Sequence, residues 1–279
     1  MKHIRTLIIY LTVLLSVQCA ASGCSLKKTY SSIDISFLKV GKADAIVIRT
    51  PDHAVLIDAA NQGEGKEIYA FCEENGYTEL DYFILTHFDS DHVGGARAVV
   101  NKFSVKNILQ PDYTENSKEF KNYSEAVLEK GYTVQTVTDT VTFELDDVYF
   151  KVYPSSGGPY DDVNNYSLVI TATHGNNSFI FAGDAEKERI KECMDQIPQR
   201  TKGWSLIKMP HHGGYEKNLD DFIRFIRPEY AVVTCSSGSP ADDRTLNLLG
   251  ETGTEVYYTC DGGITFTSDG YKLVHTSIS

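Results

Sequence analysis

Short apolar runs, some of them alternating with polar residues, recur along the chain and are separated by turns rich in glycine, proline, asparagine and aspartate. This pattern predicts strands, because successive side chains of a strand point to opposite faces of a sheet. The predicted strands cover residues 32–39, 44–50, 53–58, 80–86, 105–110, 132–138, 141–145, 148–153, 166–173, 178–182, 204–209, 229–235 and 255–259, with a final hairpin over 263–275.

Between these strands lie segments whose composition and end signals are typical of helices. Gly76 and Gly131 end two of them, as glycine often does at a helix C-terminus. A β-rich half followed by a β/α half predicts one domain of stacked sheets covered by helices on both outer faces. The predicted helices cover residues 64–75, 92–102, 116–130, 185–196, 218–226 and 242–250.

The first residues differ in character from the rest of the chain. Lys2 and Arg5 precede an apolar run over residues 7–15, and small residues then lead to Cys24. This order predicts a secretory signal peptide over residues 1–24, and its end is typical of a bacterial lipoprotein with Cys24 carrying the lipid. Ordinary secretion, with Cys24 free or disulfide-bonded, is the alternative.

After this leader, residues 25–30 are predicted to be a tether and residues 31–279 a folded domain. The apolar run of the leader is too short to cross a membrane comfortably. We therefore expect an exported protein at the bacterial cell surface, lipid-anchored or secreted, with no transmembrane span in the mature chain. Two or three acyl chains on Cys24 would hold it stably at a membrane.

Charge and cysteine content limit the partners and structural sites. The net charge is −12, and it becomes −14 without Lys2 and Arg5. Such a chain has no long-range attraction for polyanions, so nucleic acid would need a local basic patch or a bound metal. No two cysteines form a close C-x-x-C pair, which argues against a structural zinc site. Cys235 and Cys260 each end a strand-like run, and both a disulfide and two buried thiols remain open.

The segment from Thr86 to Gly95 carries the strongest chemical signal. Four residues that can bind metals lie within six positions, directly after a buried strand. Burying so many ionisable groups without a cation would be costly, which argues against a merely solvated acidic loop. His87 and Asp89 can face one metal, and Asp91 and His92 can face a second.

Further candidate ligands follow other predicted strands. Asp58 ends the run Val55–Asp58, Asp184 ends Phe181–Asp184, and His211 and His212 follow the strand that contains Lys208. Side chains offered from strand ends at one edge of stacked sheets can converge on a single point.

Together these segments resemble the metallo-β-lactamase superfamily and, more narrowly, its ComEC-like hydrolase domains, over about residues 33–268. The resemblance implies an α/β fold, a four-layer αββα sandwich of two packed β-sheets flanked by helices. The His-x-Asp-x-Asp-His form, with Asp89 where a histidine is commoner, is the ComEC-like variant. The matching segments are 37–45, 56–58, 86–92, 165–169, 182–184 and 208–213.

The resemblance also implies a role for each site residue. One or two divalent metals would be bound by His87, Asp89, Asp91, His92, Asp184 and His211, with Asp184 as the bridge. His212 would be a ligand or a proton donor, and Asp91, His212 and Lys208 would take part in catalysis. Lys208 would stabilise developing negative charge, unless it is a surface lysine. Asp58, Asn165 and Ser167 would support the ligands from behind.

Three departures from the family pattern concern the site. The histidine that the superfamily places between His92 and Asp184 is missing, because His174 is predicted to lie in a hairpin turn. Gly214 follows the His-His-Gly motif where serine is common, and Ser239-Pro240 stands where the branch often has His-Pro. Because the set is rich in carboxylates, manganese becomes competitive with zinc.

By this resemblance a metal-bound hydroxide would attack a phosphorus or a carbonyl carbon. The favoured function is a phosphodiesterase or nuclease that acts on DNA or nucleotides, by a chain that is predicted to be monomeric. It would need a basic face formed by Lys202, Lys208, Lys217, Arg224 and Arg227. The alternatives are a hydrolase of small esters, lactones or β-lactams, and a non-enzymatic surface module with a degenerate metal site.

Overall fold

A computed structural model describes residues 28–278 of the chain. The predicted signal peptide and Cys24, the predicted site of the lipid, lie outside the described residues. Among the residues that are described, none of the helices is both long enough and apolar enough to span a membrane.

Fifteen strands and seven α-helices make up this part of the chain. The strands are β1 Ile33–Phe37, β2 Ile46–Arg49, β3 Ala54–Ile57, β4 Glu79–Ile84, β5 Ser104–Pro111, β6 Val134–Val137, β7 Val141–Leu145, β8 Val148–Tyr153, β9 Val169–His174, β10 Asn177–Phe181, β11 Trp204–Lys208, β12 Pro228–Val233, β13 Glu255–Tyr258, β14 Gly263–Ser268 and β15 Leu273–Ile278. The helices are α1 Gly65–Glu74, α2 Ser90–Val93, α3 Ala96–Lys102, α4 Lys118–Lys130, α5 Lys187–Gln196, α6 Leu219–Ile226 and α7 Asp243–Thr252.

The strands form two sheets. The first has eight strands in the order β15-β14-β1-β2-β3-β4-β5-β6, and the second has seven in the order β13-β12-β11-β10-β9-β8-β7. Strands β3 to β6 are parallel in the first sheet, and β10 to β13 are parallel in the second. The carboxyl ends of neighbouring parallel strands therefore meet at one edge of each sheet.

Alternating side chains build three hydrophobic cores. In β3, Val55 and Ile57 face the core between the two sheets, whereas Ala54 and Leu56 face an outer core with α1, α3 and α4. A third core lies between the second sheet and α5, α6 and α7. Two packed sheets with helices on both outer faces confirm the predicted four-layer fold.

Two predicted elements differ from the structure near the site. The helix predicted over 92–102 is broken into α2 and α3 at Gly94 and Gly95. A Cβ on Gly95 would lie 2.2 Å from the carbonyl oxygen of Ala59, so the chain that follows β3 packs directly against these glycines. The strand predicted from 166 starts at Val169, because residues 163–166 form a 3₁₀ turn.

The described end of the predicted tether contacts the domain. Lys28 Nζ lies 3.2 Å from Asp147, and the ring of Tyr30 packs edge-on against His174 at 5.4 Å between centroids. Cys235 and Cys260 follow the paired strands β12 and β13, and their sulfur atoms lie 3.2 Å apart as free thiols.

Candidate metal centre

The predicted ligands converge at the carboxyl ends of parallel strands. Asp58 and His87 follow the neighbouring strands β3 and β4, while Asp184 and His212 follow the neighbouring strands β10 and β11. Because the two sheets are stacked, these ends face each other across the sandwich. Burial leaves His87 and His92 fully inaccessible and Asp184 only 3% exposed.

Four side chains form the centre of this group. The ligand atoms of Asp91, His92, Asp184 and His212 all lie within 4.8 Å of one another. His212 Nε2 lies 3.1 Å from Asp184 Oδ2 and 3.2 Å from Asp91 Oδ2. His92 Nε2 lies 3.2 Å from Asp184 Oδ1, although without the angle of a hydrogen bond. Asp184 thus lies between the two imidazoles.

On the first side of the centre, Asp58 and Thr86 orient two imidazoles. Asp58 accepts hydrogen bonds from the Thr86 main-chain N–H at 2.7 Å, from the Thr86 hydroxyl at 2.7 Å and from His92 Nδ1 at 2.8 Å. Because the Thr86 hydroxyl donates its proton to Asp58, it accepts from His87 Nδ1 at 3.1 Å. Both imidazoles therefore carry their proton on Nδ1 and present Nε2 to the centre.

On the second side, Thr234 orients His212. His212 Nδ1 lies 3.0 Å from the Thr234 carbonyl oxygen, which can only accept, so this nitrogen carries the proton. It also donates to the Thr234 hydroxyl at 2.9 Å, and that hydroxyl donates to Asp44 Oδ1 at 2.6 Å. His212 thus also presents Nε2 to the centre.

These tautomers provide a test of whether a metal fits. His87 Nε2 is buried and has no hydrogen-bond partner. Burial, reinforced by His92, lowers the pKa of His87 well below its usual value, so this imidazole is neutral and available as a ligand. Buried imidazole nitrogens that face carboxylates are the donor set of a divalent cation, so the residues fit a metal.

The facing carboxylates have the opposite effect on the other two imidazoles. Burial alone would lower the pKa of His92, but Asp184, Asp58 and Asp44 outweigh it and raise that pKa well above its usual value. Burial likewise opposes the effect of Asp184, which nevertheless raises the pKa of His212. A proton on Nε2, or a divalent cation in its place, neutralises the carboxylates that these imidazoles face.

Lys208 is an internal residue of the site. Its side chain is fully buried, so the alternative of a surface lysine is wrong. The ammonium group donates to the Gly183 carbonyl at 3.0 Å and to Asp184 Oδ1 at 3.1 Å, and it pairs with Asp44. With its three protons directed to these groups, Lys208 can position Asp184, and its role in stabilising developing negative charge stays a prediction.

Asp89 lies at the exposed rim of the centre. Its side chain is 42% exposed, and its Oδ2 is 4.0 Å from His87 Nε2. Burial of the remainder, reinforced by Asp91, raises the pKa of Asp89. Asp89 therefore lies beside the unpartnered Nε2 of His87. Its role as a metal ligand stays a prediction.

The structure separates the two histidines of the His-His-Gly motif. Both have positive φ, 45° for His211 and 53° for His212, and this tight turn sends their side chains in different directions. His211 Nδ1 lies 3.3 Å from Glu216 and 3.4 Å from Glu186, outside the central group. The sequence favoured His211 as the ligand and kept His212 as the alternative, and the placement favours His212.

Asn165 and Ser167 brace the site from behind. The Ser167 hydroxyl accepts from the main-chain N–H of Asp184 at 3.2 Å, and Asn165 Oδ1 accepts from the N–H of Arg189 at 3.0 Å. Gly183 has a positive φ of 54°, and a Cβ at this position would lie 3.0 Å from the side chain of Thr86 and 3.1 Å from that of Ser167. The chain before Asp184 therefore packs closely between these two residues. Ser167 thus holds Asp184, whereas Asn165 holds the start of α5.

The sequence argument gave no role to Asp44, Thr86 or Thr234. Asp44 belongs to a segment that matches the family, which was the available signal. Asp44, Asp58 and His92 also lie close together. However, the Asp44 and Asp58 oxygens already accept from Lys208, the two threonines and His92, which makes these carboxylates orienting groups.

Comparison with known proteins agrees with this geometry. The family model described as the metallo-β-lactamase superfamily matches residues 38–236. The chain belongs to this superfamily. Its fold is shared, at 13% identity and a TM-score of 0.53, with Igni18, a metallo hydrolase from Ignicoccus hospitalis, over 89% of this chain and 100% of that one.

The ComEC-like resemblance is also confirmed. ComE operon protein 3 of Bacillus subtilis is 25% identical over 225 residues, which are 74% of this chain and 29% of that protein. Recombination protein 2 of Haemophilus influenzae is 22% identical over 212 residues, 74% of this chain and 24% of that protein. Both are ComEC-like competence proteins. The chain spans less than a third of the length of either relative.

Proposed function

We propose that this protein is a metal-dependent phosphodiesterase that acts on DNA or nucleotides. The observation that carries the proposal is a set of buried imidazole Nε2 atoms beside carboxylates: those of His92 and His212 face Asp184 and Asp91, and that of His87 lies beside Asp89. The membership of a hydrolase superfamily and the ComEC-like relatives support it.

The chain's own residues would hold zinc or manganese, as one or two ions. His92, Asp91, Asp184 and His212 would form the core of the ligand set, with His87 and Asp89 at the open side. A divalent cation there would lower the pKa of water and neutralise charge that develops during hydrolysis. Carboxylate oxygens suit manganese and imidazoles suit zinc, so the mixed set accepts either ion.

Substrate would approach from the side of Asp89 and Asp91, whose side chains are 42% and 27% exposed. Asp58 and Thr86 are buried behind His87 and His92, and Asp44 and Lys208 are buried behind Asp184. His212 donates from Nδ1 to Thr234, which keeps its Nε2 at the centre. His211, in contact with Glu186 and Glu216, lies outside the central group.

A function on DNA was expected to need a basic face, and Lys208 cannot be part of such a face because it is buried. Arg224 pairs with Glu251 at 3.1 Å, and Arg227 donates to the carbonyls of Arg200 and Thr201. With a net charge of −12, the protein would therefore recruit DNA through the metal and short-range contacts. We expect its cleavage rate to depend less on salt than that of a basic nuclease.

The test is an assay of single- and double-stranded DNA with the metal-stripped protein and added manganese or zinc. We expect metal-dependent cleavage by the wild type and none by His87→Ala, which removes a buried ligand. Bis(p-nitrophenyl) phosphate, a small phosphodiester, reports the chemistry without recruitment of a polymer. Bound metal without cleavage of any of these substrates would contradict the proposal.

The acidic surface favours one other candidate, a hydrolase of small uncharged esters, lactones or β-lactams, because such substrates are not repelled. Turnover of a chromogenic lactone or β-lactam panel without phosphodiester cleavage would identify it. Failure of both assays with metal bound would favour the third alternative, a surface module with a non-catalytic metal.

We also propose, from the leader alone, that the protein is exported and anchored through a lipid on Cys24. Metabolic labelling with a palmitate analogue should mark the wild type and not Cys24→Ser. Labelling of both proteins, or of neither, would contradict the anchor.

A further inference from the structure

Asp44 links the two sides of the metal centre. Its carboxylate is 1% exposed, pairs with the Lys208 ammonium and accepts from the Thr234 hydroxyl at 2.6 Å. Its main-chain N–H donates to the Asp91 carbonyl at 3.1 Å, and its own carbonyl accepts from Ala60 at 2.8 Å. The residue is therefore held by the ligand loop of the first sheet while its side chain engages the second sheet.

Lys208 is shared between two buried carboxylates. Its ammonium pairs with Asp44 and also lies 3.1 Å from Asp184 Oδ1. The same Asp184 oxygen lies 3.2 Å from His92 Nε2, within the group that would hold the metal. A permanent cation on Asp184 reduces the negative charge that this carboxylate offers to a divalent ion, and low exposure strengthens the effect.

We propose that Asp44 is a positioning residue of the metal centre: it balances the charge of Lys208, so that Asp184 stays available to a divalent cation, and through Thr234 it fixes His212. This inference rests on the metal centre of the proposed function but not on the substrate. The Asp44 carboxylate would act on the metal only through other residues: on the central ligand group it faces the Nδ1 atoms of His212, at 3.6 Å, and His92, at 3.9 Å, and not the Nε2 atoms that would bind the metal.

The inference predicts an unusual pattern of variants. Asp44→Asn keeps an oxygen that can accept from the Thr234 hydroxyl and removes only the charge. Lys208 then has only Asp184 as a charged partner, so its ammonium competes with the metal for that carboxylate. In Lys208→Met, the competitor is gone and Asp184 keeps its full charge. In the double variant the competitor is also gone, so the loss caused by Asp44→Asn should be reversed.

The experiment measures the affinity of the metal-stripped full chain for manganese and for cobalt, whose visible spectrum reports the ligand geometry. We expect Asp44→Asn to bind about 10–100-fold more weakly than the wild type, as is typical for residues that orient ligands. We expect Asp44→Asn with Lys208→Met to bind within about twofold of Lys208→Met alone, because the coupling between the two residues is then removed.

Two results would overturn the inference. One is an unchanged affinity in Asp44→Asn. The other is a weakened affinity that Lys208→Met does not restore, because a merely structural role of Asp44 would not depend on Lys208. A wild type that binds no metal would overturn the inference together with the metal centre. DNA cleavage plays no part in these measurements, so failure of the nuclease proposal is distinguished from failure of the inference.

A second pair of variants keeps the test informative if Asp44→Asn folds poorly. Thr234→Val removes the hydroxyl that joins Asp44 to His212 but keeps the side-chain shape, and Thr234→Ser keeps the hydroxyl. We expect Thr234→Val to weaken metal binding and alter the cobalt spectrum, and Thr234→Ser to restore both. Equal behaviour of the two variants would contradict the role of this link.

Discussion

On both sides of the metal centre an aspartate and a threonine hydroxyl orient the imidazoles, but only on the second side does the aspartate also pair with a buried lysine. On the first side Asp58 and a threonine hydroxyl orient two imidazoles, and every donor to Asp58 comes from residues of the same loop. On the second side Asp44 and a threonine hydroxyl orient one imidazole, and Asp44 also holds the buried ammonium of Lys208.

The difference shows how each side depends on charge. The first side is assembled from hydrogen bonds within residues 58–92, so its geometry forms when the neighbouring strands β3 and β4 pair. The second side joins Asp44 to Thr234, which are 190 residues apart, and contains an ion pair that needs both partners. We therefore expect variants of the second side to depend strongly on each other, because the ion pair needs both partners, and variants of the first side to be coupled through their shared hydrogen bonds.

The largest expected effect is on the stability of the metal-free protein. Lys208→Met leaves the buried carboxylates of Asp44 and Asp184 without their cation, and we expect it to lower the free energy of unfolding by about 3–5 kcal/mol. Bound metal should recover part of this loss by neutralising Asp184. Denaturant unfolding with and without manganese measures both quantities.

The matched control is Lys106→Met, because the Lys106 side chain is 47% exposed and pairs with Glu79 and Asp81. An exposed pair of this kind typically contributes less than about 1 kcal/mol. Equal losses in the two lysine variants would show that the second side does not depend on a buried charge.

The next effect separates the adjacent histidines. His212→Ala removes a predicted ligand, and we expect metal affinity to fall by more than the roughly 10–100-fold typical of an orienting residue. His211→Ala leaves the central group intact and should bind metal almost as the wild type does. Isothermal titration with zinc compares them, and a greater loss in His211→Ala would reverse the assignment.

A smaller effect compares the two threonines. Thr86→Val removes the hydroxyl that accepts from His87 Nδ1 and donates to Asp58, so metal affinity should fall by about 10–100-fold. Thr234→Val should cost less, since His212 Nδ1 keeps its bond to the Thr234 carbonyl. Thr86→Ser and Thr234→Ser are the controls, and a greater loss at Thr234 would be inconsistent with this account.

The smallest effect concerns pH. His92 and His212 have a raised pKa in the metal-free fold, so the stability they contribute is fully present below the unfolded-state pKa of about 6.5 and is lost as the pH rises through the raised values. Metal-free protein should thus melt lower at alkaline pH than near neutrality. Bound manganese would take the place of those protons, so the melting temperature should depend less on pH when metal is present. An identical shift with and without metal would contradict this prediction.

The fold was predictable because its signals are local. The continuous apolar run within 53–58 predicts a strand that is buried on both faces, and Ser117 and Gly131 cap α4 where the sequence predicts a helix over 116–130. The break between α2 and α3 was not predictable, because it depends on the close approach of Ala59 to Gly95.

The same distinction holds for the site. The four residues of the loop 87–92 were identifiable because they are adjacent in sequence and follow one strand. His211 and His212 could not be ranked, since a turn with positive φ at both residues decides which one points inward. Asp44 gained a role only when the fold brought it to Lys208 and Thr234.

The most direct test of the central claim is the number of metal ions per chain, measured by elemental analysis after dialysis against manganese or zinc, for the wild type and for Asp184→Asn. Asp184 lies between His92 and His212, and asparagine keeps its shape while removing its charge. The account predicts about one or two ions in the wild type and a clear loss in the variant. Equal metal content in the two proteins, or none in the wild type, would contradict it.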